Sequence, residues 1–170
     1  MKTEFKTIPK KAVIEQIVNN TTTWIGHRSS DNEDVVSGQT FLATSEGELN
    51  EIEVFSTIVT KPGKVTMTLF DFDLNHNSWG KSLGSASVDI NASKSGKWLA
   101  FAMPHLHLNK GKSYGFRLES ADSYIGVGEA AGSSASQSFN SGQEWQFTKK
   151  EKAGLCYSYF SLAYKVAISA

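Results

Sequence analysis

The 170-residue sequence predicts an all-β protein, an antiparallel two-sheet β-sandwich of the jelly-roll type with one short N-terminal helix. Short runs in which apolar and polar residues alternate recur along the chain, and a period of two is typical of strands that bury one face. Turn residues separate these runs, whereas helical periodicity occurs once. Many short strands with frequent turns are typical of two packed antiparallel sheets. Chain order leaves jelly-roll and immunoglobulin-like wiring open, but the missing Cys…Trp…Cys spacing favours the jelly roll.

The clearest strand pattern runs from Glu51 to Asp73. Two alternating runs rich in β-branched and aromatic residues flank Pro62-Gly63, a pair suited to a tight reversal because proline fixes φ and glycine accepts positive φ. The pattern predicts an antiparallel hairpin with one face on the core. The residues predicted to face the core are Ile52, Val54, Val65, Met67 and Leu69.

The period changes between Pro9 and about Asn19. Four apolar residues of this segment fall on one helical face, and proline suits a first helical turn. We therefore expect a short amphipathic helix that packs on its own sandwich or on a neighbouring subunit. Residues 1–34 are assigned to this helix and a following loop, and residues 35–170 to the sandwich domain. The apolar stripe consists of Val13, Ile14, Ile17 and Val18.

The remaining strands follow from the same alternation. The run from Val35 to Ala43 is predicted to place Gln39, Phe41 and Ala43 on one buried face, and the last strand is predicted to run from Phe160 to Ile168. Residues 130–142 are rich in serine, glycine and alanine, which predicts a long loop. Further inward-facing residues are predicted at Ala86, Val88, Ile90, Leu99, Phe101, Met103, Tyr114, Phe116 and Leu118.

Charge and cysteine content limit the partners and the compartment. The 17 basic and 17 acidic residues cancel, so the chain lacks the electrostatic footprint of a nucleic-acid or anionic-membrane binder. Near-zero charge does little to oppose self-association, which leaves a homo-oligomer open. No apolar run is long enough to span a bilayer. The single cysteine, Cys156, is expected to be a small buried hydrophobe.

The N-terminus has positive charge but no continuous apolar region and no small-residue cleavage pattern, so it does not read as a secretory signal. We therefore expect the protein in the cytoplasm or incorporated into a particle such as a virion.

Six segments of the chain resemble, in their order, the jelly-roll β-sandwich modules of bacterial surface and phage-associated proteins, a group that includes many carbohydrate-binding modules. The resemblance spans roughly residues 35–168. It implies a non-catalytic module that binds glycans or serves in assembly and adhesion. The segments are Gln39-Thr40-Phe41, Leu49–Val54, Val65–Asp71, Leu83-Gly84-Ser85, Trp98–Phe101 and Leu108–Phe116.

Two polar patterns suggest metal ligands. Asp71, Asp73 and Asn75 alternate and could offer oxygens to a structural Ca²⁺, although such a cluster also forms local turns at a solvated hairpin tip. His105 and His107 share one strand face and could hold Zn²⁺ only with further ligands. The alternative for this pair is two exposed histidines.

Aromatic side chains beside polar residues are the candidates for glycan binding, since indole rings stack on the apolar face of a sugar while polar neighbours take its hydroxyls. Trp24, Trp79 and Trp145 have such neighbours, and His76 lies near Trp79 in the sequence. Trp98 opens a strand and is predicted to pack in the core.

These features predict a non-enzymatic recognition module, carbohydrate-binding or adhesin-like, that acts through loop aromatics. The alternative is a structural subunit of a phage or secretion particle that assembles through the helix and the sheet edges. No Gly-x-Ser-x-Gly, Walker or zincin motif is present. A hydrolase on this fold would need two carboxylates facing each other across a cleft.

Overall fold

The structure is a computed structural model that describes residues 11–132 and 142–169. Within these residues the chain forms thirteen strands and one 3₁₀ turn, Ala92–Lys94, and no α-helix. No described helix has the length and apolarity needed to cross a membrane. The strands are β1 Lys11–Gln16, β2 Thr21–Arg28, β3 Glu33–Leu42, β4 Gly47–Lys61, β5 Gly63–Asp73, β6 Ser78–Ile90, β7 Lys97–Leu108, β8 Ser113–Glu119, β9 Tyr124–Ala131, β10 Glu144–Phe147, β11 Leu155–Tyr157, β12 Phe160–Leu162 and β13 Tyr164–Ser169.

All strand pairs are antiparallel, and hydrogen bonds join the strands into one sheet in the order β1-β13-β4-β9-β2-β3-β8-β5-β6. Off this path, β7 pairs with β4, β12 with β9, and β10 with both β3 and β11. The start of β3 pairs with β2, and its remainder pairs with β8 and β10. The sheet therefore curls at β3 into a half-barrel. The prediction of an all-β antiparallel fold is confirmed. The prediction of two separate sheets is not confirmed, because β3 pairs with strands on both sides of the curl.

The two sides of the curl enclose the core. We name them the β4 half (β1, β2, β4, β7, β9, β12 and β13) and the β5 half (β3, β5, β6, β8, β10 and β11). The inward-facing residues of β4 and β5 belong to the same apolar cluster, which confirms the predicted faces. Tyr164 joins the two halves, since its ring lies 5.9 Å from that of Phe116, centroid to centroid. The fully buried members include Ile52, Val54, Val65, Met67, Leu69, Phe101, Phe116, Leu118 and Val166.

The hairpin predicted across Pro62-Gly63 is wrong in its pairing. β4 pairs with β13, β7 and β9, whereas β5 pairs with β6 and β8. The chain crosses at this point from one half to the other, so the two strands face each other through side chains instead of backbone hydrogen bonds. A Cβ atom at Gly63 would lie 2.7 Å from the backbone nitrogen of Ser123, which explains why the crossing requires glycine there.

The predicted N-terminal helix is also wrong. Residues Lys11–Gln16 form β1, which pairs along its length with β13. Of the predicted apolar stripe only Ile14 is buried, at 7% exposure, while Val13, Ile17 and Val18 are each more than half exposed. The adjacent β-branched residues Val13 and Ile14 favour extended backbone. The hydrogen bonds to β13 then stabilise the strand over the predicted helix.

The predicted loop in residues 20–34 contains β2, which pairs with β9 and β3. The predicted burial of Gln39, Phe41 and Ala43 is confirmed. Gln39 Oε1 accepts a hydrogen bond from the Leu162 N–H, which satisfies a polar side chain in the interior. The long loop predicted at residues 130–142 lies largely outside the described residues.

Candidate functional site

An open groove of about 460 Å³ lies on the outer surface of the β5 half, opposite the core. Four elements line it: the start of β3, the start of β5, the end of β8 and the connection from β8 to β9. Its lining combines three carboxylates, one ammonium group and hydroxyls with apolar surface that includes Val36 and Ala121. The lining residues are Asp34, Val36, Lys64, Thr66, Glu119, Ser120, Ala121 and Asp122.

The floor of the groove follows from strand alternation. Thr66 lies directly opposite Glu119 across β5 and β8, and both alternate with core residues, so they project outward. Thr66 Oγ1 lies 2.8 Å from Ser87 Oγ on β6, which extends the row of hydroxyls beyond the groove. The floor therefore presents hydroxyl and carboxylate oxygens on rigid strands.

The β8–β9 connection forms one wall and is held by its own hydrogen bonds. The Lys64 N–H donates to Asp122 Oδ1 at 3.0 Å, and the Ser120 hydroxyl donates to the Lys64 carbonyl at 2.7 Å. The Ser123 N–H donates to Ser120 Oγ at 2.8 Å. The backbone hydrogen bond from Lys64 is the main cause that lowers the pKa of Asp122, so this carboxylate is ionised at neutral pH.

Arg117 lies in the next row of outward-facing residues, two positions along β8 from Glu119. Gly38 on β3 and Thr68 on β5 flank it in register, and adjacent rows are about 7 Å apart. Its guanidinium carbon lies 4.0, 4.5 and 4.7 Å from the ring centroids of Phe147, Trp79 and Phe70.

Three rings therefore hold this cation in place through cation–π contacts. Burial lowers the pKa of Arg117, and the charge of Glu119 opposes that effect. Within the described residues, Arg117 Nε is enclosed and has no hydrogen-bond partner. A guanidinium carries five hydrogen-bond donors. Arg117 is therefore an immobilised donor group in the row of residues next to Glu119 of the groove.

The rings around Arg117 belong to a second apolar cluster, the aromatic cluster, formed by Phe70, Phe72, Trp79, Trp145 and Phe147. The rings of Trp79 and Trp145, both sequence-predicted ligand residues, meet edge to face at 5.9 Å and 85°. Trp145 is buried and Trp79 half-buried.

Glycines on two neighbouring strands make room for the central ring of the aromatic cluster. A Cβ atom at Gly115 would lie 2.5 Å from Trp79 Cζ3, and one at Gly38 would lie 3.1 Å from Trp79 Cη2. Trp79 therefore lies close over the backbone of β8 and β3. Val36 contacts the cluster and lines the groove, so the two features adjoin.

Trp24, the third predicted tryptophan, remains 36% exposed on β2. Its ring stacks on that of Tyr124 with centroids 5.0 Å apart and planes 17° from parallel. Gly126 lies opposite Trp24 in register. We call this stacked pair the Trp24 platform. Tyr124 follows the groove residue Asp122 by two residues in the chain.

The other predicted ligands lie in the β5–β6 turn and at the end of β5. His76 is 80% exposed, and its Nδ1 lies 2.7 Å from Asp73 Oδ2. Asp73 also accepts hydrogen bonds from the N–H groups of Asn75 and His76, and the His76 side chain is the main cause that lowers the pKa of Asp73. Lys112 Nζ lies 2.7 Å from Asp71 Oδ1. Each carboxylate therefore has a protein partner, and calcium binding stays a prediction.

His105 and His107 on β7 are both exposed. This agrees with the alternative prediction of two exposed histidines. His107 Nε2 lies 3.7 Å from Glu46 Oε1, and His105 has a positive φ of 69°. Across residues 11–132 and 142–169, no group of three His, Cys, Asp or Glu side chains is placed to hold a metal ion.

Trp98 is only half-buried and lies outside the core cluster, contrary to the prediction. Its ring meets that of Phe55 at 5.4 Å, and Lys165 Nζ lies 4.1 Å above it.

Sequence reasoning missed the groove, Arg117 and a buried carboxyl pair. Glu129 on β9 and Glu144 on β10 are 7% and 1% exposed. Burial first, and the Glu129 carboxyl second, raise the pKa of Glu144 to about 10. The signal for Arg117 was a single basic residue among apolar ones in β8, whereas the groove has no local signal because four separate segments line it.

No family model matches this sequence, and no curated protein was found to match it. The fold is similar to two solved structures of Cwp84. One, from Clostridium difficile, contains the cysteine protease and lectin-like domains of this surface layer associated protein, with a TM-score of 0.52, 10% identity and 81% of the present chain covered. The other is a variant of the clostridial cysteine protease Cwp84 after propeptide cleavage, with a TM-score of 0.58, 11% identity and 94% covered. The present chain spans 33% and 40% of those chains, and likeness at this identity shows the fold alone.

Proposed function

We propose that this domain is a non-enzymatic carbohydrate-binding, adhesin-like module. The observation that carries the proposal is the groove of fixed polar groups, on a domain that also presents an exposed aromatic stack two residues along the chain from the groove residue Asp122. Trp24 supplies the exposed ring, Glu119 and Asp122 supply acceptors, and Arg117 supplies donors beside them.

The chemistry of sugars fits this combination. A pyranose presents C–H groups on one face and hydroxyls around its edge, so it pairs with an aromatic face and with acceptors and donors at the side. The carboxylates would accept hydrogen bonds from hydroxyls, and Arg117 would donate to hydroxyl or ring oxygens. Because strands and internal hydrogen bonds already hold these groups in place, binding would cost little conformational entropy.

The three predicted tryptophans receive different roles in this proposal. Trp24 would contact the ligand. Trp79 and Trp145 would support the site by packing around Arg117, since the former is half-buried and the latter buried. His76 lies in the β5–β6 turn against Asp73, so it has no role in this proposal.

The fold comparison gives coarse support. The structure with a TM-score of 0.52 contains lectin-like domains, and the present chain spans a third of it. A non-enzymatic role fits a groove whose Ser120 hydroxyl and Asp122 carboxylate are already engaged with the Lys64 backbone, since these hydrogen bonds hold the wall together.

The direct test is a glycan array followed by calorimetry on any glycan that binds. Trp24→Ala and Glu119→Gln should each weaken binding about tenfold or more, the equivalent of about 1.4 kcal/mol. Leu74→Ala is the matched control, because Leu74 is an exposed apolar residue in the β5–β6 turn at 63% exposure. If no glycan binds, or if both site variants bind like wild type, the proposal fails.

A second candidate is a structural subunit of a phage or secretion particle. The observation that favours it is the apolar edge of the sheet at β1, where Val13 is 53% exposed and Val18 follows the strand at 58%. Assembly through this edge would not need the groove.

A further inference from the structure

Strand β1 ends the path of the curled sheet. Among the described strands it pairs only with β13, so its other side carries N–H and C=O groups that no described strand pairs. Such an open edge is a template for another strand.

The side chains of β1 alternate strictly. Ile14 points inward at 7% exposure, while Lys11, Val13 and Glu15 are exposed and share the outer face. An exposed valine between two charges of opposite sign is unusual for a solvated edge, where charged residues normally discourage pairing.

The order of these charges makes β1 complementary to itself. If a second copy of β1 pairs antiparallel with Val13 opposite Val13, Lys11 of each copy lies opposite Glu15 of the other. The same register places Ala12 opposite Ile14 on the inner face. Opposite charges and β-branched pairs directly across a ladder both stabilise it.

We propose that β1 binds β1 of a second copy of this chain, antiparallel and centred on Val13, so that one sheet continues through a two-fold symmetric dimer. The symmetry follows from an edge that pairs with itself. This inference does not depend on glycan binding.

The contact is small, since each copy contributes a strand of six residues. Interfaces well below the standard size are weak or transient. We therefore expect a reversible dimer with a Kd of about 10 μM or weaker, visible only in a concentration series.

The test is sedimentation velocity on the full chain over micromolar to millimolar concentrations at low salt. Lys11→Glu places glutamates opposite each other, and Glu15→Lys places lysines opposite each other, so each should weaken the dimer at least tenfold. The double variant Lys11→Glu/Glu15→Lys restores both pairs and should restore the dimer. Lys61→Glu, at the far end of β4, is the charge-matched control and should dimerise like wild type.

A covalent readout fixes the register. In a Cys156→Ala background, Val13→Cys should give a covalent dimer with a short bismaleimide, whereas Ile58→Cys, at a site 45% exposed on β4, should not. Circular dichroism checks that each variant is folded. A wild type that stays monomeric throughout, or single charge reversals that dimerise like wild type, overturns the proposal.

Discussion

The carboxyl group of Glu144 lies against that of Glu129 in the interior of the domain. The contact joins β10 to β9, two strands that do not pair through their backbones. Neither oxygen of Glu144 accepts a hydrogen bond from a described residue. Two ionised carboxylates in this position would repel each other without compensation, so the folded protein holds a proton on Glu144.

The first prediction concerns the pH dependence of stability. The pKa of Glu144 is about 10 in the folded protein, against an ordinary value of 4.5. The folded state therefore binds more protons than the unfolded state between these values, and the free energy of unfolding falls as pH rises through this window. Glu144→Gln should flatten the dependence and raise stability at pH 8 by about 1–3 kcal/mol. Chemical denaturation from pH 5 to 9 measures both.

The control for this experiment is Glu48→Gln, which changes an exposed carboxylate on β4. It should leave the slope of stability against pH as in wild type. If Glu144→Gln also keeps the wild-type slope, Glu144 is not the group that holds the proton.

The second prediction tests the face assignment of β5. Met67 is fully buried, so Met67→Asp places a charge without a partner in the core and should cost more than about 4 kcal/mol. Thr68→Asp, one residue along on the outer face and in register with Arg117, should remain folded. Thermal melts of the two variants should differ widely, and equal melting temperatures would contradict the assignment.

The third prediction concerns Gly115. A Cβ atom at this position would lie 2.5 Å from Trp79 Cζ3, so Gly115→Ala must displace the indole. We expect a loss of about 1–3 kcal/mol, typical of overpacking, together with a changed near-ultraviolet circular dichroism spectrum. An unchanged spectrum would show that the ring does not lie over β8.

The fourth prediction concerns the calcium site suggested at Asp71, Asp73 and Asn75. Calcium would have to displace Lys112 from Asp71, since their atoms are 2.7 Å apart. If the ion binds there, Lys112→Met removes the competing cation, and the rise in melting temperature on adding calcium should be larger than in wild type. Differential scanning calorimetry with calcium or chelator measures it. If calcium shifts neither protein, the site does not exist.

Strand alternation predicted which side chains are buried far better than it predicted which strands pair. Val65, Met67 and Leu69 are all in the core, as their period of two indicated. The same period carries no information on partners, so a hairpin was inferred where the chain crosses between halves at Pro62. A tight turn between two strands is compatible both with a hairpin and with a crossing from one half of the sheet to the other.

The N-terminal segment shows a second limit. Adjacent apolar pairs such as Val13-Ile14 fit a helical stripe and a short strand equally well. The deciding partner, β13, lies far away at the other end of the described chain, where no local pattern can reveal it.

The candidate site was predictable only in part. Trp24 was identified because an indole ring beside polar residues can stack on a sugar, and the structure leaves it 36% exposed. The groove takes Asp34 from β3, Lys64 from β5 and Asp122 from the β8–β9 connection. Only the register of these strands brings such distant residues together.

The pairing of β1 with β13 also sets an order of assembly. Lys11 lies opposite Ser169, so the first described strand to leave the ribosome must wait for the last one before it can join the sheet. A loop of this length closes slowly and adds non-local contacts late in folding. During synthesis, β1 therefore lacks its β13 partner while most of the other strands of the curl have already been made.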